Sequence, residues 1–399
     1  MNPAYRSSRL WLALFLALGT LTSADESQTL PRKEPRLTEE AARHQLAQYA
    51  ATWKTRADWD ARAASIRAAI LREAGLDPLP ARCDLQVITR GKQTRRGYTV
   101  ENVAFQSLPG FWITGNLYRP DRGPGPFPGV LCPHGHGAGG RFGEATQTRS
   151  VVLARMGAIV LAYDMVGWGE SDQVRHDDPN VLTLQLWNGM RALDFLTALK
   201  ETDASRLGCT GESGGGTQTF LLAATDPRLA VSVPVVQVSA HFFGGCRCES
   251  GLPIHHSATH DTNNVEIAAL FAPKPMLLVS DGKDWTRNTP QVEFPYIRSV
   301  YAIHDAAAMV ENTHLANEGH DYGPTKRAAM YAFLARHLAL DATKARLPAG
   351  AFDESDAVAG EASLRVFTPD HPRPTTALAG SAAVATALHD ARRAAKPAP

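Results

Sequence analysis

The sequence carries almost no excess of charge of either sign. Its 399 residues include 41 lysines and arginines and 40 aspartates and glutamates, which gives a formal net charge of +1. A protein that binds nucleic acid through its phosphates needs a surplus of basic side chains. No basic run or interleaved aromatic platform occurs here, so the composition argues against nucleic acid as a partner.

The N-terminal region lacks an apolar run long enough to cross a bilayer. The apolar stretch at residues 10–18 is too short for a spanning helix. Arg6 and Arg9 precede it, and small residues follow at 22–24, just before Asp25. This order is typical of a secretory signal peptide. We therefore predict a cleaved signal over residues 1–24, a secreted or periplasmic protein and no stable membrane insertion, with an uncleaved anchoring helix as the alternative.

Cysteine is scarce, and the five cysteines are an odd number, so at least one thiol lies outside any intramolecular disulfide. Cys246 and Cys248 have no second Cys/His pair at zinc-ligand spacing. His255, His256 and His260 follow at short range and leave a metal as an alternative, but the sequence by itself predicts none. The disulfide pairing stays open.

The spacing of apolar residues predicts an α/β protein. Strand-like stretches lie at residues 85–89, 98–106, 112–119, 129–132, 157–163, 206–210, 230–238, 276–280 and 307–311. Helical patterns lie at 39–75 (two helices), 180–200, 214–224, 291–301 and 325–338. Antiparallel strands followed by β/α alternation indicate a mostly parallel central sheet with helices on both faces. We predict a leader and short helical N-terminal extension at 25–94, a catalytic domain at 95–340 and a Pro/Ala-rich tail at 341–399.

The segment GESGG at residues 211–215 carries the pattern G-x-S-x-G between a predicted strand and a predicted helix. In that context the pattern is typical of a nucleophile elbow, in which the serine Oγ projects above the sheet. Flanking glycines let neighbouring backbone approach without a Cβ clash. The alternative is a glycine-rich turn with an incidental serine. The residues that follow favour Ser213 as a nucleophile.

A serine nucleophile needs an orienting acid and a base, in the chain order serine, acid, histidine. Asp281 and Asp284 both follow the predicted strand at 276–280. We predict Asp284 as the acid because it lies one turn beyond the strand end, whereas Asp281 begins an Asp-Gly turn. His320 follows Gly319 in the loop before the last predicted helix, where the base belongs; His314 is its competitor.

Residues 133–137 read PHGHG directly after a predicted strand. A loop of this kind contributes a backbone N–H to the oxyanion hole. By position we predict the N–H groups of His136 and Gly214 as the two donors. The predicted substrate-binding side chains are Arg141, Glu212, Trp285 and Arg287. For Arg141 the alternative is a surface salt bridge, and for Glu212 a buried acid bonded to neighbouring turns.

Over residues 95–340 the chain resembles the α/β-hydrolase superfamily, and within it the secreted bacterial carbohydrate esterases grouped with acetyl xylan esterases. The resemblance rests on PHGHGAGGR (133–141), GESGGGTQTF (211–220), GGCRCES (244–250), FAPKPMLLVSDGKDWT (271–286) and EGHDYG (318–323). It implies Ser213 as nucleophile, His320 as base and Asp284 as acid. One position departs from the pattern, because acetyl xylan esterases carry Gln and glucuronoyl esterases carry Arg where this chain has Gly214.

The resemblance implies a secreted serine esterase that removes ester groups, acetyl in the first place, from a plant or algal polysaccharide without a cofactor. A methyl esterase on uronic-acid polysaccharides is the alternative, with Arg141, Arg247, Lys283 and Arg287 as possible carboxylate partners. A peptidase of the prolyl oligopeptidase type fits less well. Such peptidases usually carry a propeller or another large gating domain, and the roughly 90 residues ahead of the sheet are too few for one. A carbohydrate-binding protein with a decayed site is a third possibility. The sequence leaves the oligomeric state open.

Overall fold

A nine-stranded sheet is the centre of the computed structural model, which describes residues 37–121, 123, 125–137 and 139–395. In chain order the strands are β1 (Ile88–Arg95), β2 (Tyr98–Leu108), β3 (Phe111–Pro120), β4 (Phe127–Leu131), β5 (Ile159–Tyr163), β6 (Thr202–Glu212), β7 (Val231–Val235), β8 (His256–Ser257), β9 (His260–Asp261), β10 (Met276–Asp281) and β11 (Val310–Leu315). The large sheet has the order β1-β2-β3-β5-β4-β6-β7-β10-β11, while β8 and β9 form a separate hairpin. In the large sheet, the strands from β5 to β11 in this order all pair in parallel. At its other side β1, β2 and β3 pair antiparallel with one another, and β3 pairs antiparallel with β5.

Helices cover both faces of this sheet. They are α1 (Glu39–Ala51), α2 (Arg56–Glu73), α3 (Glu144–Arg155), α4 (Val181–Ala198), α5 (Gly214–Thr225), α6 (Arg247–Ser250), α7 (Asn264–Ala269), α8 (Glu293–Ala302), α9 (Pro324–Leu338), α10 (Glu361–Leu364) and α11 (Ser381–Ala395). Successive residues of a strand point to opposite faces. On β5, Leu161 joins a large apolar core with helices α2, α4, α5 and α8, and Val160 joins a second core with α3 and α9. The predicted α/β architecture is therefore confirmed.

The two outermost strands differ most from the sequence prediction. The strand predicted at 85–89 is β1 at 88–95, and the strand predicted at 307–311 is β11 at 310–315, after a 3₁₀ turn at Ala307–Met309. Both are edge strands with largely polar residues that are half-buried or exposed. An edge strand packs few apolar side chains, so its sequence lacks the pattern by which an inner strand is recognised.

The chain ends pack onto the sheet domain. The two helices predicted within residues 39–75 are α1 and α2, and α2 buries a face formed by Trp59, Ala63, Ile66 and Ile70. At the other end the Pro/Ala-rich tail includes the helix α11, which buries Val384 and Leu388. The tail also contacts the sheet before α11, because the side-chain amide of Asn116 on β3 donates to the backbone carbonyl of Leu364 at 2.9 Å.

The predicted signal peptide at 1–24 and the last four residues lie outside the described residues. Within the described ranges no helix combines the length and the apolar character that a membrane span requires.

Candidate active site

Ser213 sits in the sharp turn between β6 and α5. Its backbone has φ +54° and ψ −123°, a strained conformation for a residue with a side chain, and its N–H donates to the carbonyl of Val235 at 3.1 Å. A Cβ on Gly211 would lie 2.4 Å from the carbonyl oxygen of Pro133, and one on Gly215 would lie 2.5 Å from the same atom. The glycines of the motif are therefore required, because the 133–137 loop crosses directly over the turn.

His320 and Asp284 form a close pair at the same edge of the sheet. His320 Nδ1 lies 2.7 Å from Asp284 Oδ2. The other oxygen, Oδ1, accepts hydrogen bonds of 2.6 Å from the N–H and the hydroxyl of Thr286. Both carboxylate oxygens thus have partners, which fixes the carboxylate against the imidazole ring. Ser213, Asp284 and His320 follow the carboxyl ends of β6, β10 and β11, which lie at one edge of the parallel sheet.

The two competing residues face elsewhere. Asp281 is fully buried, with an oxygen 3.6 Å from the ammonium of Lys326, and burial beside Asp284 raises the pKa of Asp281 to about 6. His314 lies on β11, where its Nδ1 meets the hydroxyl of Ser280 at 2.9 Å. Of the two acids, only Asp284 contacts the histidine that the sequence analysis predicted as the base.

The loop that carries His320 is held from two directions. Lys326 is buried in α9 and donates to the carbonyl of Gly319 and to Asp321, each at 2.7 Å. Tyr322 is also buried, and its hydroxyl lies 2.6 Å from the hydroxyl of Thr210, three residues before Ser213. The second contact ties the histidine loop to the strand that presents the serine.

Arg149, which the sequence analysis did not single out, connects the loops from beneath. It is fully buried on α3, donates to the carbonyl of Pro133 at 3.1 Å and pairs with Glu212 at 3.1 Å. Its guanidinium also lies 4.8 Å from the ring centre of Tyr322. Glu212 in turn accepts from the N–H of Gly135 at 3.2 Å. Glu212 therefore holds the turns around Ser213, as its alternative interpretation predicted.

Arg141 was wrongly predicted to face the substrate. Its side chain has no exposed surface. It forms ion pairs with Glu170 and, at 2.9 Å, with Asp164, and it donates to Asn116 at 2.7 Å. A buried guanidinium needs such partners to offset its desolvation. Arg141 is therefore a structural residue below the 133–141 loop and not a ligand for a sugar.

A cleft of about 510 Å³ opens beside the His320–Asp284 pair. Trp285 forms one wall, with its ring centre 4.3 Å from that of His320 and 4.3 Å from that of Phe242. An aromatic surface of this kind suits the apolar face of a sugar ring. Trp285 and Arg287, two of the predicted substrate-binding residues, both line this cleft.

Two cationic side chains stand at the mouth of the cleft. Arg287 pairs with Glu39 at the start of α1, so the N-terminal extension contributes one wall. Lys283 also lines the cleft and is exposed. Glu39 balances the charge of Arg287, so an anionic substrate would meet the positive charge of Lys283.

The backbone on the other side of Ser213 belongs to the predicted oxyanion loop. A Cβ on Gly135 would lie only 3.1 Å from Ser213 Cβ, so the loop runs alongside the serine. His134 is buried, accepts from the N–H of Met165 at 2.9 Å and bonds the carbonyl of Gly135. Burial lowers the pKa of His134 to about 3, which keeps this ring neutral. The buried His134 ring therefore holds the loop in place through these two hydrogen bonds.

The structure brings together four side chains that could hold a metal ion, a grouping that the sequence analysis did not predict. His136, His176, Cys246 and Cys248 converge, and their nitrogen and sulfur atoms all lie within 4.8 Å of one another. His136 and His176 lie 110 and 70 residues from Cys246 in the sequence, so local spacing gave no sign of the cluster.

The histidines that the sequence analysis considered as ligands do not join this cluster. His255 instead bonds the amide oxygen of Asn264, and His260 bonds the carbonyl of Ile254.

Comparison with known proteins gives related hydrolases. The sequence profile of the X-Pro dipeptidyl-peptidase family (S15) matches residues 110–290, less than half of the chain. A protein provisionally named hydrolase YtaP, from Bacillus subtilis (strain 168), is 26% identical over 236 residues, which cover 51% of this chain and 75% of that protein.

Among solved structures, Methylesterase BT1017 is 39% identical, with a TM-score of 0.83 over 91% of this chain and 82% of that one. A protein provisionally described as an acetyl xylan esterase, from Bacteroides fragilis, has a TM-score of 0.52 at 17% identity, over 72% of this chain and 85% of that one. The second likeness extends to the fold alone.

Proposed function

Because the chain belongs to the esterases of the α/β-hydrolase superfamily, with Methylesterase BT1017 as a relative, we propose that it is a secreted serine esterase that hydrolyses methyl esters of uronic acids in a polysaccharide. The observation that carries this proposal is the 39% identity to a methylesterase over 91% of the chain. The exposed ammonium of Lys283 in the cleft supports it, because a partly esterified uronic-acid polymer retains free carboxylates.

In the proposed mechanism the Ser213 hydroxyl attacks the ester carbonyl. His320 takes the serine proton and passes it to the departing methoxide, which leaves as methanol, and an acyl-enzyme remains. A water then gives its proton to His320 and attacks the acyl carbon, which releases the uronic acid and restores the serine. Asp284 stabilises the imidazolium at the hydrogen-bonded Nδ1 throughout. The backbone N–H groups of His136 and Gly214 would stabilise the oxyanion by a few kcal/mol each.

Hydrolysis of acetyl esters, which the sequence analysis put first, is the second candidate function. The likeness to an acetyl xylan esterase is at 17% identity and carries only the fold, whereas the methylesterase is 39% identical. A peptidase is the third candidate, favoured by the match of residues 110–290 to the S15 family. The same triad would serve all three reactions, so the leaving group has to be measured.

The proposal predicts serine-dependent release of methanol. Methyl-esterified pectin and acetylated xylan are incubated separately with the enzyme and with Ser213→Ala, and methanol and acetate are followed by proton NMR. We expect methanol from pectin with the wild-type protein only. Acetate from xylan without methanol from pectin would replace the proposal by the deacetylase. If neither product forms, an X-Pro chromogenic peptide tests the peptidase.

Lys283 is expected to contribute to the binding of the polymer and not to the chemical step. Lys283→Gln should raise KM for partly methylated pectin about two- to fivefold, because an exposed charge pair contributes up to about 1 kcal/mol. The kcat should stay unchanged, and the difference should shrink in high salt. The matched control is Lys344→Gln, which removes the same charge from a lysine paired with Asp341. An equal change in KM for both variants would exclude a local role for Lys283.

A further inference from the structure

The cluster of His136, His176, Cys246 and Cys248, called the His/Cys cluster below, joins three separate loops. His136 follows β4, His176 lies between β5 and α4, and the two cysteines flank the start of α6. His136 Nε2 lies 3.1 Å from His176 Nε2, 3.1 Å from Cys246 Sγ and 3.2 Å from Cys248 Sγ. Both cysteines are buried, with 5% and 2% exposure. Four soft or borderline ligand atoms therefore face one point.

Hydrogen bonding alone does not satisfy this arrangement. His176 Nδ1 lies 2.6 Å from the carbonyl of Val166, which only accepts, so the ring proton belongs on Nδ1 and a lone pair on Nε2. His136 Nε2 has three neighbours but offers either one proton or one lone pair. One ion at the centre would bind all four atoms at once.

The surroundings match those of metal ligands. A metal-binding histidine usually donates its other ring N–H to a carbonyl or a carboxylate, as His176 does to Val166. Glu249, next to Cys248, is buried and accepts from the N–H groups of Gly245 and Cys246 at 2.7 and 3.2 Å. These bonds fix the cysteine segment, in which both cysteines are buried.

The ligand set selects the metal. Two thiolates and two imidazoles are a usual set for structural zinc, which takes four protein ligands in a closed site. Among the described residues the cluster includes no carboxylate, the protein ligand that suits magnesium and calcium. A site with four protein ligands has no open position for a substrate, so its role would be structural.

We propose that the His/Cys cluster binds one structural Zn²⁺ that fixes the loop carrying His136 beside the nucleophile. The claim about binding stands on the cluster alone. The claim about the loop rests on the proposed function, because it takes the His136 N–H as an oxyanion donor.

Gly214 supplies an independent reason for this link. A Cβ on Gly214 would lie 2.5 Å from His136 Cε1 and 2.9 Å from its Nδ1. A side chain at position 214 and an imidazole in the cluster therefore exclude each other. The zinc ligand His136 needs the space beside position 214. This explains why the chain has Gly214 where acetyl xylan esterases carry Gln and glucuronoyl esterases carry Arg.

The first test measures the metal directly. The full-length secreted chain is produced with Zn²⁺ in the medium, purified without a metal-affinity column and analysed by mass spectrometry for bound elements. We expect about one zinc per chain, and a Co²⁺-substituted sample should show sulfur-to-cobalt charge-transfer absorption. Cys248→Ser and His176→Ala should each weaken Zn²⁺ binding by more than about 100-fold. Cys83→Ser, which removes a cysteine outside the cluster, should keep the zinc.

A folded wild-type protein with less than about a tenth of a zinc per chain would overturn the proposal. A Cys246–Cys248 disulfide in the zinc-loaded sample would overturn it as well, and so would equal zinc loss in Cys83→Ser. These measurements need no substrate. Bound zinc in a protein without esterase activity would refute the proposed function and leave the metal site standing. Esterase activity in a protein that binds no zinc would refute the metal site and leave the proposed function standing.

The second test concerns the loop. Chelator-treated enzyme should lose about 10- to 100-fold in kcat with little change in KM, because a displaced oxyanion donor acts mainly on the transition state. Added Zn²⁺ or Co²⁺ should restore kcat. If zinc-free, folded enzyme keeps full kcat, the metal does not position the loop.

Discussion

Ser213→Ala is expected to lower kcat/KM for ester hydrolysis by about 10⁴- to 10⁶-fold, because the covalent step disappears and only the remaining site acts on water. The change removes one oxygen atom and leaves the backbone free to keep its φ of +54°, since alanine and serine have the same Cβ. Steady-state release of methanol from pectin measures the loss. Thermal unfolding should give a midpoint within a few degrees of wild type.

A matched control is Ser280→Ala on β10, which is separated from β6 by β7 in the sheet. That hydroxyl lies at hydrogen-bond distance from His314 and Asn312 and belongs to neither the serine turn nor the His320 loop. Its removal should cost about 1 kcal/mol in the free energy of unfolding and leave kcat within a factor of about two. Turnover that survives in Ser213→Ala would show that the ester is cleaved by another group.

The proposed nucleophile and acid could be predicted from the sequence because each follows a strand whose apolar pattern is visible. Ser213 follows β6 and Asp284 follows β10, two inner strands with mainly buried residues near their carboxyl ends. The strand before His320 is an edge strand with polar residues and was placed three residues too early. The base was still recognised, because Gly319 and the following helix define its loop without the strand.

Contacts between distant segments could not be predicted in the same way. Arg141 was expected near a substrate, but its partners Glu170 and Asn116 lie 29 and 25 residues away, and only the folded chain shows that they bury it. The His/Cys cluster is a stronger case, since it needs three loops to meet. The sequence contains one indirect sign of the cluster, namely Gly214 at a position where the esterases that the chain resembles carry a long side chain.

The geometry of the site depends on buried charges that touch no substrate in the proposed mechanism. Arg149 links the 133–137 loop, Glu212 and Tyr322, and Lys326 holds the loop of His320. Buried side chains with several partners keep one rotamer, so the catalytic groups that rest on them are fixed before a substrate arrives. This preorganisation is the reason why the acid can be identified by a substitution that leaves the shape of the site intact.

Asp284→Asn is expected to lower kcat/KM by about 10⁴-fold, close to the loss known for the same change in other Ser-His-Asp enzymes. The amide has the shape of the carboxylate but no charge to stabilise the imidazolium, and it can present its NH₂ to Nδ1, which favours the wrong tautomer of His320. The rate is measured on methyl-esterified pectin from about pH 5 to pH 9.

Asp281→Asn is the matched control, because it makes the same chemical change three residues earlier. Asp281 pairs with Lys326, which keeps Asp321 and Glu318 as partners, so the variant should lose some stability but remain within about tenfold of wild-type kcat/KM. A 10⁴-fold loss in Asp281→Asn with a nearly normal Asp284→Asn would assign the acid to Asp281. The 2.7 Å contact between His320 Nδ1 and Asp284 Oδ2 favours the opposite result, because the orienting acid has to touch the imidazolium that it stabilises.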